Sequence, residues 1–136
     1  MRVTISHVLI TVIFMASGIL HLVRPAPFVS IVPPWLPDPK ALVLISGVCE
    51  ILGSLGILVA STRVAAGWGL ITLLVAVFPA NIQMLLNAHA AHGGRVWQAA
   101  LAARLPLQAI LIYWVYQAAV LTRRPDGVAD RVAPAP

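Results

Sequence analysis

Four long apolar runs limit what this chain can become. They cover residues 4–23, 41–60, 64–87 and 98–121. An α-helix rises ~1.5 Å per residue, so each run can cross ~30 Å of hydrocarbon. The runs do not alternate polar and apolar residues in the ten-residue segments of a closed barrel. Backbone polar groups in lipid must be satisfied within their own segment, so the spans are expected to be helices. Of the 136 residues, 60% are hydrophobic and 10% charged, whereas a soluble domain runs nearer half and a quarter. The expected fold is therefore all-α, a polytopic membrane protein built as a four-helix bundle. Residues 1–121 form the membrane domain, and residues 122–136 read as a polar, proline-rich, disordered cytoplasmic tail.

The first run follows Arg2, as a signal peptide's would. No Ala-x-Ala-like site ends it and three more spans follow, so it reads as a retained helix. The formal charge of +5 would suggest nucleic acid for a soluble protein. Here the basic residues lie mostly between apolar runs and orient the chain instead, so nucleic acid is not expected as a partner. One side holds Arg2, Arg63, Arg123, Arg124 and Arg131, and the other holds Arg24, Lys40 and Arg95. That bias places both termini in the cytoplasm. The single cysteine, Cys49, excludes an internal disulfide or a CxxC redox pair.

The links differ in kind. Residues 61–63 make a tight hairpin turn, and Gly93-Gly94 mark a flexible one. Residues 24–40 hold six prolines in seventeen positions, which argues against helix, yet they carry Phe28, Ile31, Val32, Trp35 and Leu36. This stiff apolar loop is expected at the outer mouth of the bundle. It is either a plain interfacial loop or a lid over a cavity.

Ionisable residues inside a membrane are costly, and His21, Glu50 and Arg104 stand out, with Asn81 as a strong polar companion. Counting along the spans places Glu50 ~14 Å and Arg104 ~8 Å below the outer face, with His21 near it. A buried Glu50–Arg104 ion pair is the expected way to offset desolvation. Phe14, Ser17, Gly18 and His21 share one helical stripe, Ser46, Glu50, Gly53 and Ser54 a second, and Arg104 and Gln108 a third. Pro79 and Pro106 interrupt the helical ladder beside Asn81 and Arg104 and free carbonyls for side chains or a ligand. His7 is expected to snorkel or cap, and Gln83 and Asn87 to lead a helix into water. His89 and His92 lie i, i+3 apart without nearby thiolates or carboxylates, so no metal site is assigned. Haem needs an axial ligand that His21 can supply, but nothing in the sequence requires it.

The runs GILHLVRPAPFVSIVPPWLP (18–37), SGVCEILGSLGIL (46–58), TRVAAGWGLITLLVAVFPANIQM (62–84) and RLPLQAILIYW (104–114) resemble the DoxX-like family of small bacterial membrane proteins. The matching positions include His21, Pro25, Pro33, Pro34, Glu50, Gly53, Arg63, Pro79, Asn81 and Arg104. The resemblance implies a four-helix bundle in the bacterial cytoplasmic membrane. It also implies a redox setting, since namesake relatives include a subunit of a thiosulfate:quinone oxidoreductase and others associate with thiol-redox complexes. The lone cysteine argues against thiol–disulfide chemistry in this chain itself.

The leading functional expectation is a redox-associated subunit that binds a quinone-like or other small apolar ligand in the outer half. If it takes part in catalysis, it does so as part of a quinone-linked oxidoreductase. Glu50 carries a proton or hydrogen-bonds the ligand, Arg104 poises it, and His21 relays protons outward. Asn81 orients a ligand carbonyl beside Gln108, and Phe14, Trp35 and Phe78 contact a ring. Electrons must come from a partner subunit or bound cofactor. The alternatives are a structural or assembly subunit, alone or as a homo-oligomer, and a small transporter.

Overall fold

The computed structural model describes residues 3–92 and 94–121. The proposed tail and the Gly93 half of the glycine turn lie outside these. The described residues are helical, without strands, and fold as α1 (Ile5–Val23), α2 (Ala26–Val29), α3 (Pro39–Leu58), α4 (Arg63–Ala90) and α5 (Arg95–Val115). A π-helical segment, Tyr116–Leu121, continues α5. Four helices are long and apolar enough to cross a membrane: α1, α3, α4, and α5 with its π-helical extension. Leu52, Val75 and Ile110 are each about 60% exposed on the outside of the bundle. An apolar exterior of this kind suits lipid and not water.

Local sequence explains the helix ends. At the start of α1 the Thr4 backbone N–H donates to His7 Nδ1 at 2.9 Å. Asp38, at φ 40°, opens α3, and its carboxylate accepts from the Ala41 N–H at 3.1 Å with Pro39 in the first turn. Proline suits that turn because its missing N–H would have had no partner there. α3 ends against the next helix. The buried Arg63 guanidinium donates from Nε to the Ile57 carbonyl at 2.8 Å, and Thr62 Oγ1 donates to Gly56 at 2.9 Å. These are carbonyls that a helix end leaves without N–H donors. Arg63, expected as a turn residue that orients the chain, is a buried helix cap.

The loop 24–40 departs from its expected form. It contains the short helix α2, with Pro25 at its N-cap and Pro27 in its first turn. Proline pre-sets the helical φ in a first turn, so here it starts a helix instead of preventing one.

α1 packs along α3, α3 on α4, and α4 on α5. Small residues allow these approaches. A Cβ on Gly18 would stand 2.6 Å from the Gly47 carbonyl oxygen, and one on Gly67 would stand 2.6 Å from Ala119 Cβ. α1 meets the last span chiefly at the π-helical segment. There His7 Nε2 lies 2.9 Å from the Ala118 carbonyl. His7 Nδ1 accepts a backbone N–H, so Nε2 carries the proton and donates: the imidazole is neutral and both caps α1 and joins the two spans. The apolar core (Ile10, Phe14, Ile57, Leu70, Ile71, Leu74, Val115, Ala118, Ala119) fills this N-terminal end of the bundle. The end beneath the 24–38 loop is hollow.

Candidate functional site in the hollow end of the bundle

The hollow is a cavity of about 840 Å³ whose walls come from α1, α3, α4, α5 and the loop. Its lining is apolar apart from a few groups, and six of those expected from the sequence are on it: Phe14, His21, Glu50, Asn81, Arg104 and Gln108. Ser17 and Ser46 join them.

On the α1–α3 wall, His21 Nδ1 and Glu50 Oε2 are 2.9 Å apart, with side chains 14% and 10% exposed. Two features of the fold make this contact. Gly47 lets α1 approach until a Cβ built on it would lie 2.8 Å from His21 Cβ. Helical side chains also lean toward their own N-terminus. α1 and α3 run antiparallel, so His21 leans inward, Glu50 leans toward the loop, and they meet although Glu50 lies nearly a turn beyond Gly47. This corrects the expected Glu50–Arg104 pair. Glu50 is taken by His21, and this is the one carboxylate–base contact among the described residues. Arg104 is exposed on the cavity rim and lies beside Met84, with Nη1 3.7 Å from Sδ.

The remaining polar groups form a second set. Asn81 Nδ2 donates to Gln108 Oε1 at 2.7 Å. Gln108 Nε2 donates in turn to the Leu74 carbonyl. Leu74 adjoins Val75, whose carbonyl loses its i+4 donor at Pro79. A side chain from α5 thus bonds α4 one residue before the carbonyl that Pro79 frees, and not that carbonyl itself.

The loop forms the roof. Phe28 packs on the His21 ring with centroids 4.0 Å apart. Pro27, Ile31, Val32, Pro33 and Leu36 line the cavity from above. Asn87 Nδ2 donates to the Ser30 carbonyl at 3.1 Å, and Gln83 Nε2 donates to Asn87 Oδ1 at 2.8 Å. Of the two readings of the loop, this geometry is that of a lid. It also corrects the reading of Gln83 and Asn87 as mere solvating residues, since they tether the lid to α4. Two expected aromatic contacts are not made: Trp35 is 70% exposed and Phe78 39% exposed, and neither lines the cavity. Phe28 takes the ring-packing role instead; its place in an apolar loop seven residues after His21 was the signal available. No group of three or more potential metal ligands occurs among the described residues.

His21 Nδ1 faces the carboxylate, and Nε2 has no hydrogen-bond partner among the described residues. Among the described residues no buried side-chain nitrogen or oxygen is left without one, so Nε2 is accessible. Glu50 therefore fixes the ring's orientation, while Nε2 is open to a hydrogen bond from the cavity.

Fold and site together define a four-span membrane-type bundle with a lidded, mostly apolar cavity that carries a His–Glu pair. The chain belongs to the family described as a domain of unknown function, DUF8561, whose model matches residues 10–119. That match takes in most or all of each span and every cavity residue, but it does not link the chain to the DoxX-like proteins its motifs resemble. Neither the curated proteins nor the solved structures contain a match.

Proposed function

We propose that the protein binds a small, mostly apolar, quinone-like ligand in this cavity. In this reading it acts as a redox-associated subunit of the bacterial cytoplasmic membrane, with both termini cytoplasmic. The observation that carries the reading is the His21–Glu50 pair, 2.9 Å apart on the wall of an otherwise apolar 840 Å³ cavity. Ionisable groups in a membrane interior mark functional sites by default, and this pair faces open space. A ring with carbonyl groups suits the walls: its apolar body meets Phe14, Leu73 and Leu111, and one carbonyl meets His21 Nε2 or Asn81. Electrons come from a partner subunit. The DoxX-like resemblance agrees with such a setting.

Titration of the purified protein with a short-chain ubiquinone analogue, followed by tryptophan fluorescence, tests this. Saturable quenching that is lost in Glu50→Gln and His21→Ala, with both variants still folded, supports it. Wild-type quenching in both variants refutes it.

A second reading, an assembly subunit, has its own observation. A groove of about 560 Å³ on the α3–α4 face is lined by small residues including Cys49, Gly53, Gly56, Ala66 and Gly69. Small residues let membrane helices approach closely. A stoichiometric partner that is lost in Gly69→Leu, where an added Cβ meets nothing within 4 Å in the chain, with no quinone binding, favours this reading.

A further inference from the structure

Two walls of the cavity differ in charge. On the α1–α3 wall Glu50 has a basic partner. At the rim Arg104 has no carboxylate: the two acidic side chains among the described residues are Glu50, held by His21, and Asp38, which caps α3. The hydrogen bond found for Arg104 goes to the thioether of Met84, a weak acceptor for a guanidinium. Arginine offers five N–H donors in a planar fork that matches a carboxylate or phosphate. A cation beside hydrocarbon is costly until an anion meets it.

The surroundings give the shape of that anion's carrier. α1 and the last span are joined chiefly at the π-helical segment, and toward the loop the cavity lies between them. Its lips are Ile13 on α1 and Leu107 on α5, both exposed on the apolar outside of the bundle. A chain-bearing molecule dissolved in the bilayer meets this gap sideways. Its head then reaches Arg104 while its tail lies against Ile13, Leu107 and Leu111.

We infer that the Arg104 rim is a binding subsite for an anionic amphiphile, a phosphate or carboxylate head on an apolar chain that enters between α1 and α5. The subsite shares the proposed cavity but not the His21–Glu50 chemistry, so it stands or falls separately from the quinone reading.

Native mass spectrometry of the full-length protein in detergent tests it. The probes are dioleoyl phosphatidylglycerol, oleate, and zwitterionic dioleoyl phosphatidylcholine. The wild type should retain an anionic probe about tenfold or more better than the zwitterion, the range expected for charge-assisted hydrogen bonds. Arg104→Gln should lose that preference, while Arg104→Lys retains part of it and Arg95→Gln, a cation at the start of the same helix, retains all of it. Arg104 is exposed, so its variants should keep the wild-type circular dichroism. Retention of phosphatidylglycerol alone identifies a phospholipid head, retention of oleate alone a carboxylate, and either result supports the subsite. Equal retention of the zwitterion, an unchanged anion preference in Arg104→Gln, or an equal loss in Arg95→Gln overturns it.

Discussion

The substitution Gly18→Ala separates the geometry of the site from its chemistry. The new Cβ would stand 2.6 Å from the Gly47 carbonyl oxygen and 2.8 Å from Ile51 Cγ1. The isoleucine can rotate away, but the carbonyl is helix backbone. Ordinary contact begins near 3.4 Å, so α1 and α3 must part locally by about 0.8 Å. Passed on to the next turn, that displacement stretches the 2.9 Å His21–Glu50 contact to about 3.7 Å, beyond a hydrogen bond. Overpacking costs ~1–3 kcal/mol, and replacing a helical glycine with alanine returns up to ~1 kcal/mol, so the net loss of stability is ~0–2 kcal/mol. Gly69→Ala is the control, because its Cβ meets nothing within 4 Å. Stability is read by chemical unfolding in detergent, and ligand affinity by quinone-analogue titration. Gly18→Ala should lower affinity at least tenfold with a modest stability change, whereas Gly69→Ala should hold or gain stability and bind as wild type. Wild-type affinity in Gly18→Ala would refute the claim that the Gly18–Gly47 approach positions the pair.

Other consequences can be tested separately. Arg63→Ala strips the donors from the end of α3 and should destabilise the fold by ~2 kcal/mol, seen as a lower unfolding midpoint. His7→Phe removes both the α1 cap and the bridge to Ala118 and should cost ~1–3 kcal/mol by the same assay. Asn87→Ala releases the Ser30 carbonyl and should speed amide exchange across residues 26–32 while leaving α3 protected.

The four spans were legible from hydropathy alone, because lipid forces helices and an apolar exterior. Their ends moved by a few residues for local reasons: Asp38 and Pro39 start α3 early, and Arg63 joins α4 as the cap of α3. The cavity's polar residues were also legible, since a costly group in an apolar run needs a purpose. The partner of Glu50 was not. Counting residues along straight spans set Glu50 and Arg104 at reachable depths. It ignored the lean of side chains toward helix N-termini and the glycine contact that brings His21 close. Trp35 and Phe78 were credited with ring contacts on residue type alone, and the sequence carried nothing to show that Phe78 faces outward. Asn87 looked like a solvating residue because its partner is a backbone carbonyl in another segment, which no side-chain pattern reveals.

The central claim is that a small apolar ligand occupies the lidded cavity at the His21–Glu50 pair. Photolabelling the protein in lipid nanodiscs with an azido-quinone, followed by peptide mapping, tests it most directly. The account predicts label concentrated on cavity residues of α1 and α3 around His21 and Glu50, competed by unlabelled quinone and lost in Glu50→Gln. Label spread over lipid-facing positions such as Leu52, Val75 and Ile110, unaffected by competitor, would contradict it.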